Sequence, residues 1–474
     1  MLFNSLEFLV FFPLVCIIYF LIQNLRCRNL FLLAVSYYFY MCWKPEYALL
    51  LLTSTGITYL ASLCIAGGTR HKKLYLILSL VLNLGILFFF KYYQFAGENI
   101  TALLGHFGIL IHVPEFHFLL PVGISFYIFQ ALGYSIDVYR GDVAVERNFF
   151  TYALFVSFFP QLVAGPIERS TNLLQQFKEK KSFDGNRAIE GITLMLWGYF
   201  LKLVLADNLA RYVDAIYNDV GAADGSSSLA ASCLFCFQLY GDFAGYSLIA
   251  IGCAKVMGVT LMENFRRPYF FSTSVQEFWK RNHISLTSWF MDYIYYPMVG
   301  SSTNLFWWCF CIFVTFVLSG FWHGAAWTYV ISFALFGIYL VACLLKDKPQ
   351  RKFEKKFNLK KKQWWIWANR IATFFLVMLA LVFFRANSVS DGWLIIRNMF
   401  TGTHELRAML VPRFLFLIFI VFIVFIVEYL WEYKIVRITP GNHLRQHTIW
   451  SLALILLIFA FGRFNGGQFI YFQF

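Results

Sequence analysis

Apolar stretches near the length that crosses a hydrocarbon core, roughly 30 Å or about twenty helical residues, recur along this chain from one end to the other. They fall near 8–25, 30–41, 47–66, 74–90, 118–136, 189–206, 228–252, 305–318, 325–345, 371–384, 414–431 and 449–461. A segment in lipid must satisfy its own backbone N–H and C=O groups, so the chain reads as an all-α polytopic membrane protein with about eleven or twelve transmembrane helices. With 60% hydrophobic and only 14% charged residues, against about 25% charged in soluble domains, it leaves no room for a large aqueous domain. The expectation is one membrane-embedded domain over 1–474: N-terminal helices (1–115), a core (116–345), a basic loop (346–362) and C-terminal helices (363–474).

Charge sets the expected orientation. No Lys or Arg precedes the first apolar run, and no small-residue cleavage site follows it, so it is expected to stay attached as the first helix. Arg26 and Arg28 come directly after it, which places the amino terminus outside and these arginines in the cytoplasm. Between Lys346 and Lys362 nine Lys or Arg face two acids, the mark of a cytoplasmic loop close to anionic headgroups. The formal charge of +14 therefore reads as orientation within a multi-pass cell (inner) membrane protein, with membrane lipid rather than nucleic acid as the partner.

Two pieces fit poorly as spans. Residues 149–166 end in Gln161-Leu162-Val163-Ala164-Gly165-Pro166, and residues 266–300 mix Trp, Phe and Tyr with Lys280, Arg281, His283 and Asp292. Irregular backbone survives at membrane depth only when buried in protein or lining a wet cavity, so re-entrant or interfacial helices around a central tunnel are expected here.

Little conventional site chemistry appears. The ten cysteines are mostly scattered through apolar runs, where a thiol behaves as a small hydrophobe. Cys233-x-x-Cys236 and Cys309-x-Cys311 lack the further partners of a tetrahedral zinc site, so no metal is expected. No phosphate-binding glycine loop, nucleophile elbow or His-Glu-x-x-His is present.

What remains is two histidines in apolar sequence, His283 and His323. A histidine beside Lys280 and Arg281 is ordinarily a headgroup-facing residue, and one inside a helix is ordinarily hydrogen-bonded to a backbone carbonyl. His323 departs from that pattern, because Gly320 and Gly324 should open the packing beside its ring to a substrate. An ionisable side chain at membrane depth is a functional-site hypothesis by default. The other seven histidines, at 71, 106, 112, 117, 404, 443 and 447, are expected in solvated loops.

The run Phe278-Trp279-Lys280-Arg281-Asn282-His283-Ile284-Ser285-Leu286-Thr287-Ser288-Trp289-Phe290-Met291-Asp292-Tyr293 resembles the signature of the membrane-bound O-acyltransferase superfamily. Ser319-Gly320-Phe321-Trp322-His323-Gly324 is similar to its second, histidine-bearing signature. Four further blocks follow the same pattern: Ser125 to Gly141, Phe158 to Ile167, Asp242 to Ser247 and the terminal Phe469 to Phe474. The style is that of the bacterial polysaccharide branch, with alginate O-acetyltransferases and, more distantly, D-alanyl transferases of teichoic acids. Departures from the pattern are Asn282 where Trp is usual, Met291 where Arg is frequent, and Ser332, Phe333 and Phe336 where many members carry a further histidine.

The resemblance implies transfer of an acyl group from a cytoplasmic thioester, acetyl-CoA as substrate rather than cofactor, to a hydroxyl of an extracytoplasmic glycan. It also implies a separate esterase-like transferase as a partner on the far side. Catalysis falls to His323 as the base, with His283 second. An imidazole that removes the proton of an attacking hydroxyl contributes about 10²–10⁴-fold, and an apolar surrounding favours the neutral ring a base needs. His283, or the amide of Asn282, would hold the thioester carbonyl or orient the partner ring. Trp279, Trp289, Asp292, Tyr293, Trp322, Asp242 and Gln161 are the substrate-binding candidates. Two alternatives stay open: transfer of D-alanyl or fatty-acyl groups to teichoic acid, lipid or peptide, and a transporter of acyl groups or protons with His323 as a relay. Transporters commonly carry internal repeats, and none is visible here.

Overall fold

A computed structural model describes residues 1–474 with the exception of 69, 110, 115, 117–119, 164, 267–268, 404–411, 434–443, 465–468 and 471–474. His117, His404, His443 and most of the terminal block lie outside the described residues. The regular structure of the described residues is all helix, and eight helices are long and apolar enough to cross a membrane: Tyr47–Ala66, Lys72–Gly105, Gly185–Tyr217, Gly225–Val256, Leu305–His323, Trp327–Lys356, Gln363–Arg385 and Arg413–Glu432. Leu6–Leu21 and His447–Phe461 are shorter apolar helices. Two expected spans, the helices Leu25–Met41 and Ile124–Arg140, have 17 residues each and carry polar groups along their length.

The chain groups into two compact units, 1–195 with 247–262 and 196–246 with 263–474. In the first unit the helix Tyr47–Ala66 packs on Lys72–Leu87 and Ile124–Arg140. Its seam is polar: the Tyr152 hydroxyl donates to Thr58 Oγ1 at 2.7 Å, and the Ser62 and Ser135 hydroxyls meet at 3.3 Å. Small hydroxyl residues suit helix packing in lipid, where burying apolar surface gives no drive to associate. The segment 149–166 is broken into the short buried helices Phe149–Ser157 and Phe159–Leu162, not a span.

The second unit is organised by a hairpin of the helices Leu305–His323 and Trp327–Lys356, with Gln363–Arg385 against the latter. Asn304 caps the first helix, its side chain accepting from the N–H groups of Phe306 and Trp307 at 2.9 and 3.4 Å. The basic run expected as a loop is helical as far as Lys356, and only 357–362 connects it to the next helix. Lys, Arg, Gln and Glu are good helix formers, and the pairs Arg351–Asp347 and Gln350–Glu354, four residues apart, bridge at 2.9 and 2.8 Å. His447 is a second correction: it is buried at 6% exposure on the terminal helix rather than solvated in a loop. The described residues of 266–300 form short pieces: Tyr269–Phe271, Val275–Trp279, Ile284–Phe290, a π-turn Met291–Tyr295 and Tyr296–Val299.

Candidate active site

His323 is the last residue of the helix Leu305–His323, three residues before the next helix is entered at its cap, Ala326. The turn between them is tight because of two glycines. A Cβ on Gly320 would stand 2.8 Å from the Tyr329 carbonyl oxygen and 2.9 Å from Phe333 Cβ, and one on Gly324 would collide with Cδ2 and Cε2 of the Tyr329 ring. The space those glycines open is thus filled by Tyr329 and Phe333 of the facing helix, not kept for a substrate. His323 is 3% exposed. Phe333 stacks on its ring at 4.5 Å, Trp322 meets it edge to face at 4.9 Å and Phe384 edge to face at 5.6 Å.

His283 arrives from the broken segment. It sits at the cap of Ile284–Phe290 with φ 46° and ψ 50°, a left-handed conformation that few residues other than glycine adopt. Such an outlier persists only where surrounding contacts over-determine it. Here Asn264 supplies them: its carbonyl oxygen accepts the Ile284 N–H at 2.9 Å, and its side-chain Oδ1 accepts the Ser285 hydroxyl at 2.9 Å and the Ser285 N–H at 3.4 Å. The same Oδ1 lies 3.2 Å from His283 Nδ1. An oxygen already accepting a backbone N–H is an acceptor, so the neutral His283 ring carries its hydrogen on Nδ1 and presents Nε2 as a lone pair. Phe243 closes one side of this ring at 4.5 Å, edge to face.

The two histidine rings come together, 6.0 Å apart at 69°, with Trp322 against both. Trp279 reaches the site at one remove through Phe333 and Phe336, at 5.5 and 5.0 Å. Phe333 and Phe336 thus build the apolar wall behind His323. Trp289 packs on Tyr293 at 5.0 Å, within the segment that also carries Asp292. Asn282 takes part through its backbone, its N–H donating to the Phe278 carbonyl at 2.9 Å, and the amide found at His283 is that of Asn264 instead. Gln161 belongs to the first unit, where its Nε2 donates to the Phe155 carbonyl at 3.0 Å.

Asp242 stands in a buried ion cluster. Lys202 Nζ lies 2.5 Å from Asp242 Oδ1 and 2.8 Å from Asp207 Oδ1, and Asp242 Oδ2 accepts the Ile470 N–H at 2.7 Å. These residues border a cavity of about 320 Å³ whose wall also includes Gln238, Tyr329, Phe384 and Arg385. Phe384 therefore touches both His323 and the cavity. Sequence reasoning reached neither Lys202 and Asp207 nor Asn264. The only available signal was a Lys and an Asp five residues apart inside an otherwise apolar span.

Residues 143–390 match the family model described as the membrane-bound O-acyltransferase family. The chain is 37% identical to the probable alginate O-acetylase AlgI of Pseudomonas aeruginosa over 86% of its own length and 76% of the relative's. It is 32% identical to the peptidoglycan O-acetyltransferase of Helicobacter pylori, over 84% and 80% of the two chains. Against the teichoic acid D-alanyltransferase of Streptococcus thermophilus it is 29% identical, over 57% and 69%.

Proposed function

The chain belongs to the membrane-bound O-acyltransferase family, and on that premise we propose that it moves an acetyl group from cytoplasmic acetyl-CoA to a hydroxyl of an extracytoplasmic polysaccharide or cell-surface glycan. The acetyl group and the glycan acceptor follow from relatives named as alginate and peptidoglycan O-acetylating proteins, which match more of the chain than the D-alanyl transferases do.

The single observation that carries the reading is the convergence of His283 and His323 at 6.0 Å inside an aromatic shell. His323 acts as general base. It takes the acceptor hydroxyl proton as that oxygen attacks the thioester carbonyl carbon. The tetrahedral oxyanion then collapses, the C–S bond breaks, and the imidazolium returns the proton to the departing thiolate. His283 in its neutral form has given its one N–H to Asn264, so it has none for the thioester carbonyl. It is left with the other expected role, orienting the partner ring.

Orientation follows from the second unit. The helices Trp327–Lys356 and Gln363–Arg385 join through 357–362 at their basic ends, while His323 and the cavity lie at their opposite ends. At 1.5 Å per residue the first of these helices is about 45 Å long, enough to separate the two ends by a bilayer. With the basic end in the cytoplasm of a cell-membrane protein, the histidine faces the acceptor side, and Arg26 and Arg28 after the first helix place the amino terminus outside by the same charge rule. There an esterase-like transferase would receive the group, or the polymer would take it directly.

The test is turnover by purified protein in liposomes supplied with radiolabelled acetyl-CoA and a glycan, with His323→Ala as control. Transfer that depends on His323 supports the reading, and transfer that survives the substitution removes the base. A protein that takes label only from a D-alanyl carrier protein would move the donor to the alternative class.

A further inference from the structure

The His323 ring is shut in. Its side chain is 3% exposed, and the rings of Phe333, Trp322, Phe384 and His283 pack on it at 4.5, 4.9, 5.6 and 6.0 Å. Protein interiors are packed as densely as organic crystals, so a ring leaves such a shell only where empty volume stands beside it. Of these four rings, that of Phe384 belongs to a residue on the wall of the cavity of about 320 Å³. Phe333 is backed by Trp279 and Phe336 at 5.5 and 5.8 Å, and the backbone after His283 is tied to Asn264 through the Ile284 N–H.

The place of Phe384 in its helix suits it to move. It is the last residue but one of Gln363–Arg385, and beyond it Ala386 is extended. Its neighbour Arg385 is held by Asp214 at 2.6 Å and lies over the Tyr217 ring at 5.4 Å. The helix end is therefore anchored, and a change of rotamer is what takes the Phe384 ring from His323 toward the cavity.

Resting on the reading of His323 as base, we propose that Phe384 is a specificity-determining residue: its ring keeps water from the imidazole until an acceptor hydroxyl in the cavity displaces it. Without the ring, water attacks the thioester carbonyl carbon, the C–S bond breaks, and His323 passes the water proton to the departing thiolate. Acetic acid and the CoA thiol then leave in place of the transferred ester. Closure that expels water is a general means of suppressing such hydrolysis.

The experiment treats the purified, detergent-solubilised full chain with diethyl pyrocarbonate, reads the labelling rate of His323 by mass spectrometry, and measures acetyl-CoA hydrolysis without acceptor. Phe384→Ala should label about tenfold faster, since reactivity scales with the fraction of molecules open to the reagent, and should hydrolyse acetyl-CoA about fivefold faster or more. Phe384→Leu, which keeps most of the apolar bulk, should show a smaller rise in both and carries the test if the alanine variant does not fold. Phe333→Ala removes an equally close ring away from the cavity and should label within about twofold of wild type. Wild-type labelling in the Phe384 variants, or an equal rise in Phe333→Ala, overturns the proposal, and labelling that rises without hydrolysis overturns the exclusion of water. Failure of the base reading shows up separately, as transfer that survives His323→Ala, and leaves the labelling comparison intact.

Discussion

His283 and His323, from two different signatures, present their rings to each other at 6.0 Å and 69°. The rings meet edge to face at that separation, and Trp322 lies against both of them. What fixes it is the left-handed turn at His283 and the tight hairpin after His323.

Asn264 should prove as important as a histidine. Asn264→Ala removes the acceptor of His283 Nδ1 and of both Ser285 donors, which should lower kcat about tenfold or more, since a lost buried hydrogen bond is worth roughly 1–3 kcal/mol. Asn264→Asp, which keeps an acceptor oxygen, should recover part of the rate. Steady-state kinetics of both variants decide it, and an unchanged kcat in the alanine variant would refute the positioning role.

Gly324→Ala places a methyl group where the Tyr329 ring already lies. The hairpin must then open, and overpacking of this kind costs about 1–3 kcal/mol or more. A lowered melting temperature together with lost transfer is expected. Gly324→Ala combined with Tyr329→Ala should regain stability, and a double variant no better than the single would count against the steric account.

Lys202→Met leaves Asp207 and Asp242 buried without their shared counter-ion. Removing one partner of a buried ion cluster costs about 3–5 kcal/mol. Yield and thermal stability of folded protein in detergent should drop steeply, and replacing Asp207 and Asp242 by Asn in the same background should restore much of both. Wild-type stability in Lys202→Met alone would show the cluster to be dispensable.

Glu168, in the loop before the π-turn Ser170–Leu174, gives the first unit a pH dependence. Burial pushes its carboxyl up to about 7, against hydrogen bonds from Met262 N–H and Asn172 that favour the ionised form. With the folded value above the unfolded one, its contribution is fully present below the ordinary carboxylate range and is lost as pH rises through 7. Melting temperature should therefore fall between pH 5 and 8 in the wild type, and that portion of the fall should vanish in Glu168→Gln. Identical profiles would exclude Glu168 as the source.

The architecture and the two histidines were legible because each has a local signal: apolar length for the helices, and titratable rings set in aromatic sequence for the site. Asn264 carried none, since its role comes from a loop folded back onto a helix start nineteen positions later in the chain. Lys202 and Asp242 are forty positions apart and meet only through tertiary packing. The basic segment misled for a different reason: lysines that lead to the expectation of a cytoplasmic face also propagate a helix, so their charge carried no information about the backbone state. Gly320 and Gly324 did signal close approach, although what approaches is Tyr329 and Phe333.

That filled hairpin limits how chemistry can reach His323. Tyr329 and Phe333 seal the flank toward the neighbouring helix, which leaves the quarter bordered by His283, Trp322 and Phe384. On that side too the ring is packed, so reactants reach the imidazole only if one of those three side chains yields, and Phe384, which also lines the cavity, is the one whose displacement would join that cavity to the base.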